Sequence, residues 1–113
     1  MKQGTTPTIR LFVKGYDLSA CTAYITIDEA SEHQITYDST DRRVRKEVTE
    51  QGTYFYIKFT QEDTFRLKVG THSIEVRWIG SDGESFGTKP KSFSVTPTLL
   101  QKIIEYLGGD QDE

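Results

Sequence analysis

The sequence predicts an all-β fold, an immunoglobulin-like β-sandwich of about seven strands with a short amphipathic helix at its C-terminus. Apolar and polar residues alternate at the strand period of two along most of the chain, and turn signals recur about every 8–12 residues. A third observation is the polar segment Thr-Gln-Glu-Asp at positions 60–63, which separates two strands without the signature of a tight hairpin. A small β-barrel fits such a crossing segment less well than a sandwich does.

Each predicted strand has one apolar face, which we expect to point into the core. In chain order these faces carry Ile9, Leu11 and Val13; Ala23, Ile25 and Ile27; Ile35 and Tyr37; Val44 and Val48; Phe55, Ile57 and Phe59; His72, Ile74, Val76 and Trp78; and Phe93 and Val95. Asp82 and Gly83 are typical of a hairpin turn, which needs positive φ angles. Pro90 has no N–H to donate, so residues 89–91 are predicted at a sheet edge or a bulge.

The crossing segment is predicted to be one short helical turn between two strands. Thr60 and Asp63 have the spacing in which a threonine hydroxyl caps the turn while an acidic side chain reaches back to the backbone. We therefore expect one strand to end at Phe59 and the next to leave from Gly70.

The C-terminal part of the chain changes from strand-like to helix-like patterning. Thr96 or Thr98 is a suitable helix start, and Gly108 with Gly109 is a suitable end. The apolar residues at helical spacing are Leu99, Leu100, Ile103, Ile104 and Leu107. The predicted organisation is a sandwich domain over residues 1–96, a helix over 97–107 and a flexible acidic tail over 108–113. The helix either covers its own sandwich or packs against other copies.

Length and composition limit the class of protein. A chain of 113 residues with one cysteine and a formal net charge of −3 is expected to be a single soluble domain without an internal disulfide. Its start lacks the apolar segment of a signal peptide, and no apolar run approaches the roughly 20 residues of a membrane span. We expect synthesis in the cytoplasm and no membrane insertion.

The sequence offers no pattern typical of an active site, a metal site or a cofactor site. His33 and His72 lie far apart without metal-ligand spacing around them, and no nucleophile or phosphate-binding motif is present. Residues 42–46 form a basic cluster, but acidic residues flank it and base-stacking aromatics are missing there. The prediction is a non-enzymatic protein without a cofactor that does not bind nucleic acid.

Four aromatic residues alternate out of phase with the apolar core positions. They are Phe12, Tyr24, Tyr54 and Tyr56, and we predict that they form one outward face. Three interpretations stay open. The C-terminal helix lies over them, they contact another protein subunit, or they stack on the sugar rings of a glycan.

Three stretches together resemble one family. They are residues 2–11, residues 60–67, and residues 75–78 continued through Ser81-Asp82-Gly83 to residues 91–95. In this order they resemble the small prophage proteins of Gram-positive bacteria that are related to the N-terminal domain of phage baseplate upper proteins. The likeness extends from Lys2 to about Ile104, and its motifs are structural.

The resemblance implies a β-sandwich module of a phage tail tip or baseplate, located in the virion. Such a module assembles with copies of itself or with neighbouring tail proteins. Larger relatives continue into helical and receptor-side segments, which this sequence lacks after Leu107, so we expect an assembly part and not a host-binding one. The alternative is a carbohydrate-binding or host-adhesion module. The predicted contact residues are Phe12, Tyr24, Tyr54, Tyr56, Leu99, Leu100, Ile103, Ile104 and Leu107.

Overall fold

The computed structural model describes residues 1–27 and 35–105, which form eight strands and one short helix. The elements in chain order are β1 (Thr8–Lys14), β2 (Ala23–Ile27), β3 (Ile35–Asp38), β4 (Val44–Thr49), β5 (Gly52–Lys58), α1 (Gln61–Arg66), β6 (Gly70–Ile79), β7 (Ser85–Gly87) and β8 (Lys91–Val95). The seven predicted strands are all present, and the eighth, β7, is the three-residue return of the hairpin at Asp82 and Gly83.

The strands form two antiparallel sheets. The first sheet has the order β1-β5-β4. The second has the order β3-β2-β6, and β7 and β8 follow one another along the remaining edge of β6. The prediction of an all-β sandwich is confirmed, whereas the closer likeness to an immunoglobulin domain stays a prediction.

The inward faces of both sheets build one hydrophobic core. The predicted alternation is met in β2, where Ala23, Ile25 and Ile27 are buried, and in β5, where Phe55 and Ile57 are buried. Residues from both sheets, and from the connections between them, share this cluster. Burial of one face therefore explains why the period of two predicted the strands so well.

The crossing helix α1 begins with a capping box. The Thr60 hydroxyl accepts from the Asp63 N–H at 3.1 Å, and an Asp63 carboxylate oxygen accepts from the Thr60 N–H at 2.8 Å. These two bonds satisfy backbone donors that a helix start otherwise leaves unpaired. The predicted cap is confirmed at both residues.

The edge of the second sheet is interrupted where Pro90 was predicted to interrupt it. β7 pairs with residues 77–79 of β6 and β8 with residues 70–74, and the register shifts by one residue between them. Beside this bulge the Val76 N–H donates to the Thr88 hydroxyl at 3.1 Å, and the Thr88 N–H donates to the Val76 carbonyl at 2.9 Å. The predicted edge position of residues 89–91 is confirmed.

The predicted C-terminal helix is wrong for the residues that the structure describes. Residues 97–105 form no helix, and Leu107 lies outside the described residues together with the predicted tail 108–113. Helical spacing shows which side chains would share a face, but a helix of about ten residues is marginal in water until that face is covered. In the described part of the chain no helix is long and apolar enough to cross a membrane.

Candidate functional site

The outer face of the first sheet carries two cross-strand rows of large side chains. Phe12 of β1 lies opposite Tyr54 of β5, and in the next row Arg10 of β1 and Arg45 of β4 lie on either side of Tyr56. These side chains point away from the core because they alternate with its buried residues along each strand. We call Arg10, Phe12, Arg45, Tyr54 and Tyr56 the aromatic–arginine face.

The three aromatic rings of this face contact one another. The ring centroids of Phe12 and Tyr54 are 4.5 Å apart with an interplanar angle of 27°. Those of Tyr54 and Tyr56 are 6.2 Å apart at 28°. Phe12 stays 39% exposed, and both tyrosines are half-buried by their neighbours. The rings therefore form a continuous apolar strip that remains accessible from outside.

Two arginines lie over the tyrosine rings. The guanidinium carbon of Arg45 is 4.0 Å from the centroid of the Tyr56 ring, and that of Arg10 is 5.3 Å from the centroid of the Tyr54 ring. The Tyr56 hydroxyl donates a hydrogen bond to Glu47 at 3.0 Å. Cation–π contact holds both guanidinium groups against the strip. Sequence reasoning missed both arginines, although Arg10 shares the strand parity of Phe12.

Tyr24 does not belong to this face, so the predicted four-residue face is wrong. Tyr24 lies on β2 and points outward from the second sheet, where it lines a shallow groove with Thr26, Arg77 and Ile79. Strand parity correctly predicts an outward side chain, but it does not show which of the two sheets the strand joins. The structure brings together Phe12, Tyr54 and Tyr56 and leaves Tyr24, 48% exposed, apart from them.

The apolar residues of the C-terminal segment are exposed. Leu99, Leu100, Ile103 and Ile104 each have about half or more of their surface accessible. The Gln61 side chain accepts from the Ile104 N–H at 2.7 Å and donates to the Ile104 carbonyl at 2.8 Å, which ties the segment to α1. Residues 97–105 therefore do not provide the helix that one interpretation placed over the aromatics.

The basic cluster of residues 42–46 is distributed over three places. Arg45 lies on the aromatic–arginine face. Lys46 points inward and donates to the carbonyls of Leu18 and Cys21 at 2.8 and 3.0 Å. Arg43 turns toward α1, where it binds the Asp63 carboxylate, and it also binds Asp41 in the β3–β4 turn. Basic residues that are neighbours in the sequence thus make contacts in separate places, because successive side chains of a strand point to opposite faces of the sheet.

Arg43 forms the centre of a partly buried polar cluster. Its guanidinium group donates to Asp63 at 3.1 Å and to Asp41 at 3.0 Å, and it lies 4.9 Å from the centroid of the Tyr37 ring. Burial raises the pKa of the Tyr37 phenol, and the negative charge of Asp63 raises it further. The cluster joins the β3–β4 turn to the capped start of α1.

Tyr37 predicts a loss of stability at alkaline pH. Because the folded state holds the phenol neutral, unfolding releases a proton above the unfolded pKa of about 10, and stability falls as pH rises. Above a pH of about 10, we expect the difference in unfolding free energy between the wild type and Tyr37→Phe to change by about 1.4 kcal/mol per pH unit. Denaturant unfolding between pH 8 and 11 measures it, with Tyr24→Phe as the exposed control. A difference that does not vary with pH would contradict the assignment.

Comparison with protein-family models and with curated proteins gives no match. No protein-family model matches the chain, and no curated protein matches it significantly. Among residues 1–27 and 35–105, no group of three or more His, Cys, Asp or Glu side chains is placed to hold a metal ion. The geometry of the aromatic–arginine face is the strongest functional feature of the described residues.

Proposed function

We propose that this chain is a non-enzymatic structural component of a phage tail or baseplate that acts by protein–protein association through the aromatic–arginine face. The observation that carries the proposal is the pair of cross-strand rows in which Phe12, Tyr54 and Tyr56 contact one another under Arg10 and Arg45. Residue types of this kind dominate the binding energy of protein interfaces.

The structure of the strip favours a protein partner over a glycan. A sugar ring stacks on an open aromatic face, but Phe12 and Arg10 contact the Tyr54 ring and Arg45 lies over Tyr56. A protein surface does not need those ring faces, because it can pack on the ring edges and accept hydrogen bonds from the guanidinium groups. The glycan alternative has better support at Tyr24, whose ring is exposed and lines a groove.

The charge of the face indicates the chemistry of its partner. Arg10 and Arg45 are cationic, and Glu47, beside them, is engaged by the Tyr56 hydroxyl. A complementary surface would therefore combine apolar area with carboxylates, since arginine pairs with carboxylates in a bidentate way. With a formal charge of −3, a second copy of this chain supplies such groups, as a neighbouring acidic tail protein also would.

The place of the module in a phage rests on the sequence resemblance of residues 2–11, 60–67 and 75–95 to small prophage baseplate proteins. A β-sandwich with the outward aromatic–arginine face fits that role, because tyrosine, phenylalanine and arginine are enriched at protein interfaces. The same resemblance gives the virion as its location.

Purified phage particles test this proposal. The prophage of the host strain is induced, tails are separated from unassembled protein by density centrifugation, and the chain is quantified by mass spectrometry against known tail proteins. We expect a fixed copy number in the tail fraction. Absence from particles that contain the other tail proteins would overturn the assignment.

A further inference from the structure

The four sheet edges of the described residues are not equally protected against an added strand. β3 is only four residues long, and β4 points the charged side chain of Lys46 inward. The edge made by β7 and β8 is broken at Pro90, and Lys2, next to the N-terminal residue, bridges to Thr96 beyond β8. Short length, inward charge, bulges and covering segments are the means by which proteins block strand addition.

β1 has none of these four protections, and only the exposed charges of Arg10 and Lys14 oppose strand addition at its edge. It is seven residues long, it pairs with β5 in unbroken register, and its sequence between Thr8 and Lys14 contains no proline or glycine. Among the described residues no strand lies on its other side. β1 is therefore the regular open edge of the sandwich.

The hydrogen bonds between β1 and β5 show which backbone groups of β1 point away from β5. The Phe59 N–H donates to the Pro7 carbonyl and the Gly15 N–H donates to the Gln51 carbonyl, each across the β1–β5 ladder. Odd-numbered residues of β1 therefore direct their N–H and C=O groups toward β5, because these directions alternate along an antiparallel strand. The even-numbered residues, Thr8, Arg10, Phe12 and Lys14, direct theirs outward.

The surroundings of this edge are cationic. Arg10 and Lys14 are exposed on β1, and Lys89 and Lys91 line a groove against Leu11 and Phe12 at the neighbouring edge of the second sheet. Glu75 is the acidic residue of that groove. A second β1 strand placed here would bring another Arg10 and Lys14 against these four cations, which opposes self-pairing.

We infer that the β1 edge receives an extended acidic segment of another protein as an additional strand of the first sheet. The inference rests on the proposed function and names the chemistry of the partner. Residues opposite Arg10 and Lys14 in an antiparallel strand are four apart, so the segment carries acidic residues at that spacing. Between them, an aromatic or β-branched residue meets Phe12 and extends the aromatic strip.

A synthetic peptide tests this edge on the full chain. The probe is the acetylated, amidated peptide Thr-Glu-Val-Tyr-Val-Glu-Thr, titrated into ¹⁵N-labelled protein. We expect saturable amide shifts and slowed hydrogen exchange at Arg10, Phe12 and Lys14. Replacing both glutamates of the peptide by lysine should weaken binding about tenfold or more, since two favourable cross-strand pairs become unfavourable.

Backbone-methylated peptides separate strand addition from simple charge attraction. Methylation of the tyrosine nitrogen removes an N–H that faces Phe12 and should abolish binding. The valine N–H groups face solvent, so methylation of a valine nitrogen should leave binding unchanged. Equal binding of these two peptides, or protection of the β1 amides by self-association without peptide, would overturn the inference. The proposed function falls separately, if the chain is absent from tail particles.

Discussion

Asp63→Ala is expected to lower the free energy of unfolding by about 3 kcal/mol. The side chain is 5% exposed and accepts hydrogen bonds from the Thr60 N–H and the Arg43 guanidinium group. Loss of the cap costs about 1 kcal/mol, and loss of a charged hydrogen-bond partner for Arg43 costs about 2 kcal/mol. For a domain of this size the melting temperature should fall by about 10 °C or more.

Asp41→Ala is the matched control, because it removes the same chemical group from the other carboxylate partner of Arg43. Asp41 is more exposed than Asp63, and the Arg43–Asp63 pair survives its loss. We expect a cost of about 1 kcal/mol for this variant, from the turn bond that the Asp41 carboxylate accepts from the Arg43 N–H at 2.9 Å. Equal effects of the two substitutions in denaturant unfolding would show that the capping box contributes nothing beyond charge pairing.

Tyr54→Ala combined with Tyr56→Ala is expected to reduce association at least about a hundredfold while the sandwich stays folded. The double substitution removes two rings of the strip and frees both Arg10 and Arg45. Both side chains point outward, so the fold should lose only about 1–2 kcal/mol from cross-strand contacts. Incorporation into tail particles from a phage deleted for this gene measures association, and circular dichroism reports the fold.

Tyr24→Ala is the control for this double variant, because it removes an exposed tyrosine from the opposite sheet. It should enter particles as the wild type does. Normal incorporation and unchanged native mass of the Tyr54→Ala, Tyr56→Ala variant would show that the aromatic–arginine face does not mediate association. Loss of incorporation only in Tyr24→Ala would move the contact surface to the second sheet.

The sequence was sufficient for features that depend on local pattern. Alternation placed all seven predicted strands, because each must bury one face, and the spacing of Thr60 and Asp63 placed the capping box. The pairing of Arg43 with Asp63 spans 20 residues and depends on how α1 meets the β3–β4 turn, so no local pattern encodes it. The candidate site could be predicted in part. Strand parity gave the outward positions of Phe12, Tyr54 and Tyr56, but not the contacts of Arg10 and Arg45 with the tyrosine rings.

Two errors show what pattern reasoning omits. Parity predicts that Tyr24 points outward, yet the sheet that β2 joins is decided by its pairing with β6. Helical spacing at Leu99, Leu100, Ile103 and Ile104 predicts a shared face, yet a short segment needs a packing surface before it becomes a helix. Both depend on contacts between distant parts of the chain.

The most direct measurement is hydroxyl-radical footprinting of the chain in purified tail particles compared with the free protein. It reports the accessibility of each aromatic side chain in the assembled state. We expect modification of Phe12, Tyr54 and Tyr56 to slow at least about fivefold in particles, because an interface core buries these side chains, while Tyr24 reacts equally in both samples. Equal reactivity of Tyr54 and Tyr56 in particles and in the free protein would show that the aromatic–arginine face is not an assembly contact.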